Sequence, residues 1–489
     1  MRGFTSHVGL AVVLAVAAAS PNGAFAQAGG GGAGGGAGAG SGSGASGPGA
    51  AAAAHGTASS TPGAAQEGQA AAQNGLTPEQ YAAGASPVID PRKPPPAKSG
   101  VLTLQQVVDL AKAKNPTLLA AEQTLRSVRA QEVQAGVRAN PYFTFYGSNV
   151  TLPGDGSEGN PYSYSSQVSR LFERGNKRGY RLESARATTA QTQAQNQDQI
   201  RQTILQVKNA FTTMLIAKQA ASLSAANLKE YQHEVEIAFD RYQAGDLGKL
   251  DYERLDLQLG QFESDESNSI VTLQQASQQL QTLIGYDTPR PDFDITGQVV
   301  PPVINQTKEA LIQTALATRP DLQAAQFAIQ ANEANAKLAK SNGLTDPTLE
   351  AEYDRSGYYN SAGFSVNIPL RIFDRNQGNI ETARYQADAS RFTAIAARNQ
   401  IVSDVEQAWI GYSQSKRLAD RFTSHYLDES TDVLQIAQFA FEHGGIALID
   451  YLDALRDARS TVSDALNAYQ NTWMAIHQLS GSVGTEIVP

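Results

Sequence analysis

The sequence has no cysteine. Disulfides, thiolate metal sites and a cysteine nucleophile are therefore excluded, as is a lipid attached through an N-terminal cysteine. Methionine is sparse, and the histidines are scattered. His233, His425, His443 and His477 make no His-x-x-x-His spacing, so neither a dedicated metal site nor a cofactor is expected. The net charge of −9 leaves no basic stripe for nucleic acid. Nucleophile, acid–base and phosphate-loop motifs are also missing, which argues against an enzyme. Beyond the first 26 residues there is no run of about 18 apolar residues, so no membrane-spanning helix is expected. A β-barrel remains open, because its strands carry a much weaker hydropathy signal.

Residues 1–26 read as a secretory signal. Arg2 supplies the positive start, Val8 to Ala19 the short apolar stretch, and Ala24-Phe25-Ala26 a cleavage site before Gln27. Residues 27–100 are low in complexity. Gly29 to Gly56 is nearly all Gly, Ala and Ser, and Pro91 to Pro96 is rich in proline. Such a stretch buries too little apolar surface to offset its ordering entropy, and a disordered linker is expected.

From Val101 onward one pattern occurs twice, in 101–300 and 301–489. Val108 to Pro116 corresponds to Ile312 to Pro320, and Asn140-Pro141 to Asp346-Pro347. Phe172-Glu173-Arg174 matches Phe373-Asp374-Arg375, and Glu183 to Arg186 matches Glu381 to Arg384. Asp251-Tyr252 and Asp450-Tyr451 follow Gly245 and Gly444 at equal spacing. Matches in one order across half a chain indicate duplication.

Each copy predicts a helix, two strands, a very long helix, a tight turn and a return helix. The strands show as alternation: Phe364, Val366, Ile368 and Leu370 against Ser365, Asn367 and Pro369, and Leu349, Ala351 and Tyr353 against Glu350, Glu352 and Asp354. The first copy offers Tyr142 to Val150 and Tyr162 to Phe172. Loops are expected at Pro153 to Gly159 and at Ser356 to Asn360.

The first long helix is expected from Gly179 to Ala244, on the order of 100 Å at 1.5 Å per residue. Its heptads run Ile200, Ile204, Val207, Phe211, Met214, Ala221, Ala225, Leu228, Val235, Phe239 and Tyr242, broken at Lys218 and Gln232. The second, Asn379 to His443, runs Ile401, Val405, Ala408, Tyr412, Ala419, Phe422, Tyr426, Val433, Ile436 and Ala440. Return helices are expected near 249–284 and 446–480. Two more, near 103–138 and 306–340, can stack on them, making four helical columns.

Four strands cannot close a barrel, and open edges cost several kcal/mol per unpaired backbone group in lipid. Protomers must therefore share one. About twelve strands leave a lumen, so a homotrimer is expected. The resulting fold class is mainly α with a small β part: a trimeric outer-membrane β-barrel continued by a periplasmic α-helical barrel.

This duplicated order resembles the TolC-like outer membrane factor family over residues 101–485. The stretches Glu173 to Gly179 and Pro369 to Gly378 are most similar to its cobalt–zinc–cadmium branch. The resemblance implies the exit duct of a tripartite efflux system in a Gram-negative outer membrane. It would passively conduct heavy-metal cations or other small molecules. Implied partners are a periplasmic adaptor (membrane fusion) protein, an inner-membrane pump of the resistance-nodulation-division type and outer-membrane lipid. The alternatives are a type I secretion duct for proteins, or a periplasmic coiled-coil scaffold.

Three groups of residues are candidates for function. Asp450, Asp453 and Asp457 share one helical face. They form either a solvated acidic surface or, as the resemblance implies for Asp450 and Asp453, a periplasmic gate. The turns with Gly245, Leu247 and Gly248, and with Gly444, Gly445 and Ile446, are either connectors or the adaptor-docking tips the resemblance implies. Glu173, Arg174, Gly175, Lys177, Arg178, Asp374, Arg375 and Gly378 mark the barrel–helix junctions. Their cations either meet lipid phosphates or brace the strand ends while the glycines permit the bend.

Overall fold

A computed structural model describes residues 90–94, 101–148 and 162–488. The expected signal, most of the linker and the loop Pro153 to Gly159 lie outside the described residues. The elements, in chain order, are α1 (Leu104–Lys114), α2 (Pro116–Ala135), β1 (Tyr142–Ser148), β2 (Ser163–Leu171), α3 (Lys177–Ala244) and α4 (Lys249–Ile284). The same order repeats as α5 (Lys308–Thr318), α6 (Pro320–Asn342), β3 (Thr348–Ser356), β4 (Tyr359–Asn367), α7 (Gln377–Arg421), a π-helical segment (Phe422–Tyr426), α8 (Leu427–Glu442) and α9 (Leu448–Val483). Among the described residues, no helix is long and apolar enough to cross a membrane.

The two helices expected at 103–138 and 306–340 are each divided. Pro116 and Pro320 push the preceding Asn115 and Arg319 to extended backbone, with ψ of 121° and 122°, because the proline ring disfavours helical geometry one residue earlier. Both prolines then start the next helix, where their missing N–H costs nothing. The breaks let helices stack end to end. Asn115 accepts from the Thr117 and Leu118 amides at the head of α2 and donates to the Leu283 carbonyl at the foot of α4 at 2.7 Å. In the second repeat Thr318 and Arg319 donate to the last carbonyls of α9, Val483 at 3.0 Å and Ser482 at 3.2 Å. Two composite columns, α4–α2 and α9–α6, thus run beside α3 and α7.

The heptad reading holds for the upper half of each long helix. Val207, Phe211 and Met214 pack with α1 and α4, and Ile401, Val405, Ala408 and Tyr412 with α5 and α9. Lower down it needs correction. The break at Lys218 marks a change of partner: its ammonium holds the Ile295 carbonyl at 2.9 Å and Asp294 at 2.7 Å. Below it the buried residues of α3 include Leu223, Tyr231, Val235 and Ala238, whereas Phe239 is 41% exposed. There α3 packs between α4 and the α8–α9 hairpin. In the second repeat the π segment adds one residue to a turn. The packed stripe becomes Leu427, Leu434, Ala437 and Phe441, one residue later than the expected Tyr426, Val433, Ile436 and Ala440.

The sheet is antiparallel in the order β1-β2-β3-β4. β2 and β3 join the two repeats through Ser163↔Ser356 to Leu171↔Thr348. The β3–β4 connection is tighter than expected, with Gly357 at φ +60° accommodating the reversal. β1 and β4 are the outer edges and have no further strand beside them among the described residues.

Candidate functional site: helical tips and a two-faced sheet

Both long helices end at glycines in the left-handed region, Gly245 at φ +89° and Gly444 at φ +73°, where a Cβ would be strained. A matched aromatic pair braces each reversal. Tyr242 stacks on Tyr252 at 5.4 Å between ring centroids, and Phe441 on Tyr451 at 5.2 Å. Each pair joins a residue three before the glycine to one seven after it. Leu247 and Ile446 are partly buried against the apolar cluster behind the tips, so they serve folding as well as surface. Leu250 and Ile449, in equivalent positions on the return helices, are 61% and 49% exposed. Those two are the apolar groups the tips present, and the sequence reading missed them.

Asp450, Asp453 and Asp457 all lie on the exposed face of α9, and Asp453 pairs with Arg456 at 2.7 Å. Behind them Tyr451 is buried and donates its hydroxyl to both carboxylate oxygens of Glu234 on α3, at 2.9 and 3.0 Å. Burial pushes the Glu234 carboxyl up to about 7. The Tyr451 hydrogen bond opposes that shift, while Glu230 and Glu442 add to it. A carboxyl raised on folding contributes stability fully present below the ordinary carboxylate range and lost as pH rises through about 7. The contact between the hairpins should therefore weaken as pH rises from about 4.5 to about 7 and level off above that. Glu234→Gln, which keeps an acceptor for Tyr451, should flatten that dependence in thermal melts. A parental slope in the variant would count against the assignment.

The sheet has two chemically distinct faces, fixed by pleat and register. One carries Phe143 and Phe145 of β1, Tyr164 and Val168 of β2, Leu349, Ala351 and Tyr353 of β3, and Phe364 and Val366 of β4, with Arg170 and Arg355 on the same face near the strand ends. Phe364 is 89% exposed. The other carries Ser165, Gln167 and Ser169, then Glu350, Glu352 and Asp354 in a row along β3, then Ser361, Gly363 and Ser365. No cation lies on that second face within the four strands. Ser165 donates to Glu352 and Ser365 to Glu350, each at 2.8 Å.

Such a sheet at one end of helices about 100 Å long has known counterparts. The profile of the family described as Outer membrane efflux protein matches residues 107–286 and again 311–482. The chain belongs to the outer membrane efflux protein family. Among its relatives is the cobalt-zinc-cadmium resistance protein CzcC of Cupriavidus metallidurans, 28% identical over 74% of this chain and 85% of that protein. The nickel and cobalt resistance protein CnrC of the same species is 25% identical over 62% and 73%. The cation efflux system protein CusC of Escherichia coli K12 is 23% identical over 56% and 63%. In fold, a CusC crystal structure matches with a TM-score of 0.67 at 19% identity, covering 78% of this chain and 92% of that one. VceC from Vibrio cholerae matches with 0.64 at 15%, covering 79% and 97%. Family membership sets aside the scaffold alternative.

In this efflux family member the junction residues are mostly occupied within the protomer. Lys177 is buried and donates to Leu344 O at 2.9 Å and to Asp346 at 2.5 Å. The Arg174 amide donates to the same carboxylate at 2.8 Å. Arg178 reaches the Gly136 carbonyl, and Arg181 pairs with Glu173. Lys177 is thus unavailable to a lipid headgroup, while Arg174, Arg178 and Arg375 remain exposed, as does Asp374. The bend belongs to Gly175 at φ +68°, Asn176 at +57° and Asn376 at +65°, whereas Gly179 and Gly378 lie inside helices. Asparagine tolerates this region because its short amide bonds locally. An Asn close behind the matched arginine in each repeat, two residues past Arg174 and one past Arg375, was the available signal. Among the described residues there is no cluster able to hold a metal. His477 lies in the core, 3.0 Å from the Thr212 hydroxyl and stacked on Trp473; burial pushes its ring down to about 3, so it stays neutral.

Proposed function

We propose that three copies of this chain share one barrel of about twelve strands and continue it as a helical tunnel. The assembly is the exit duct of a tripartite system that expels heavy-metal cations. The observation that carries this reading is the two-faced sheet whose β1 and β4 edges have no further strand among the described residues. Its apolar face suits lipid, and its acidic, hydroxyl-rich face suits a water-filled lumen that passes cations. The resistance and cation-efflux relatives support the cargo class. An inner-membrane pump of the resistance-nodulation-division type would drive transport. A periplasmic adaptor would dock on the tips around Gly245, Leu247, Gly248, Gly444, Gly445 and Ile446. Residues 1–26 would direct export and be removed, with 101–300 and 301–489 as the two structural repeats beyond a linker.

Three protomers would set three copies each of Asp450 and Asp453 around the periplasmic entrance. Crowded carboxylates in a confined lumen favour cations and bind multivalent ones. In a planar bilayer the duct should show a small, cation-selective conductance, blocked from the helical side by millimolar divalent ions. Asp450→Ala with Asp453→Ala should weaken block and selectivity together. Double-variant channels that select and block like the parent would remove both residues from the gate.

A further inference from the structure

The π segment sits where α8 has a choice. Below it the helix carries two apolar stripes, one residue apart. Leu427, Leu434, Ala437 and Phe441 face the protein, and Leu427 is only 4% exposed. Tyr426, Val433 and Ile436 point outward, at 38%, 55% and 66% exposure. An unbroken α-helix continuing from Ala419 would bury the second stripe, since Tyr426 follows Ala419 by seven residues. The extra residue of the π turn, seen in the Leu427 amide bonding to the Phe422 carbonyl, selects the first. One residue of shift rotates a helix by about 100°. Either register buries a continuous apolar seam, so the sequence supports two packings of one element.

A strap holds the register in place. Arg92 donates to the Thr423 carbonyl at 3.2 Å within the π segment and pairs with Asp428 at 2.9 Å just below it. Asp90 steadies the same guanidinium at 2.9 Å. The buried Gln219 of α3 donates to the Pro91 carbonyl at 3.4 Å. The short segment around Arg92 therefore ties α3 of the first repeat to the π segment of the second. From inside the protein, Thr423 also meets the Tyr469 hydroxyl at 2.9 Å.

We infer that α8 is a two-register switch. Movement of the extra residue through the π segment exchanges the Leu427 stripe for the Tyr426 stripe and turns the α8–α9 hairpin, with Arg92 as the positioning residue that holds the register described. Because α9 carries Asp450 and Asp453, the exchange moves the entrance; this last step rests on the duct reading above.

The absence of cysteine makes the test clean. Leu427→Cys, at a side chain only 4% exposed in the register described, is introduced into the full chain, and its labelling by a thiol reagent is followed in detergent-solubilised protein. Deleting Ser424 removes the extra residue, converts the π turn to α, and leaves the Leu427 stripe facing inward with no alternative. With a minor register populated at about 1–10%, the deletion should slow labelling at least about tenfold. Arg92→Ala, which keeps every helix residue, should speed it several-fold. Labelling rates unchanged in both backgrounds would overturn the switch, and the Arg92 variant decides alone if the deletion fails to fold. Conductance separates the two readings. Altered labelling with the bilayer openings of the deletion variant lost supports the whole inference; altered labelling with parental openings keeps the switch and overturns its coupling to the entrance.

Discussion

Of two neighbouring proline substitutions in β4, Ser361→Pro and Ala362→Pro, one should abolish the trimer while leaving a folded protomer. The other should disrupt the sheet itself. Alternate residues of an antiparallel strand turn their N–H groups to opposite sides, so one of the pair bonds β3 and the other points past the edge. A proline at the outward position removes a donor that only the next protomer can use. If three sheets close one barrel, the lost pairing recurs at three seams, each in lipid, where an unsatisfied group costs several kcal/mol. Mass measurement after detergent extraction reads the result. Trimers from both variants at parental yield would mean that β4 is not a shared edge.

Lys177→Met should lower stability by about 3–5 kcal/mol, the range for breaking one side of a buried ion pair. The substitution leaves Asp346 half-buried without its cation and removes the donor to the Leu344 carbonyl. Adding Asp346→Leu should recover much of the loss, because the cost lies in the unpaired charge rather than in the missing attraction. The exposed Arg375 is the control: Arg375→Met should stay within about 0.5 kcal/mol. Denaturant melts check all three. Equal effects at Lys177 and Arg375 would contradict the bracing role of the junction and reopen a lipid contact for Lys177.

The junction shows where residue type alone stops being informative. Arg174, Lys177, Arg178 and Arg375 are all cations beside a strand end, and nothing in their spacing separates the enclosed one from the exposed ones. Asp346, which encloses Lys177, lies in the other repeat, and the β2–β3 pairing together with the packing of α3 on α6 brings the two together. The tips were easier to read. Gly245 and Gly444 stand at the same distance from Asp-Tyr in both copies, and a helix reversal there needs φ > 0. Their aromatic braces were visible in principle as Tyr242 with Tyr252 and Phe441 with Tyr451. Leu250 and Ile449 were hidden because exposure depends on what the return helix packs against.

By itself, the sequence determined the elements and their duplication. Periods of two and of three and a half distinguish strand from coiled-coil helix locally, and a repeat in chain order needs no coordinates. Both helix breaks were legible in it as well, although undivided helices were expected, since proline disfavours helical geometry at the preceding residue. Tertiary structure decided which apolar stripe α8 buries. Tyr426-Val433-Ile436 and Leu427-Leu434-Ala437 are equally good helical patterns, and a one-residue π insertion leaves no mark in composition or period. The choice is made by contacts distant in sequence: the strap at Arg92, the hydroxyl of Tyr469 and the cluster around Tyr231 and Phe262. The polar partner of Tyr451 was likewise settled by packing, because only the crossing of α3 and α9 sets Glu234 against that hydroxyl.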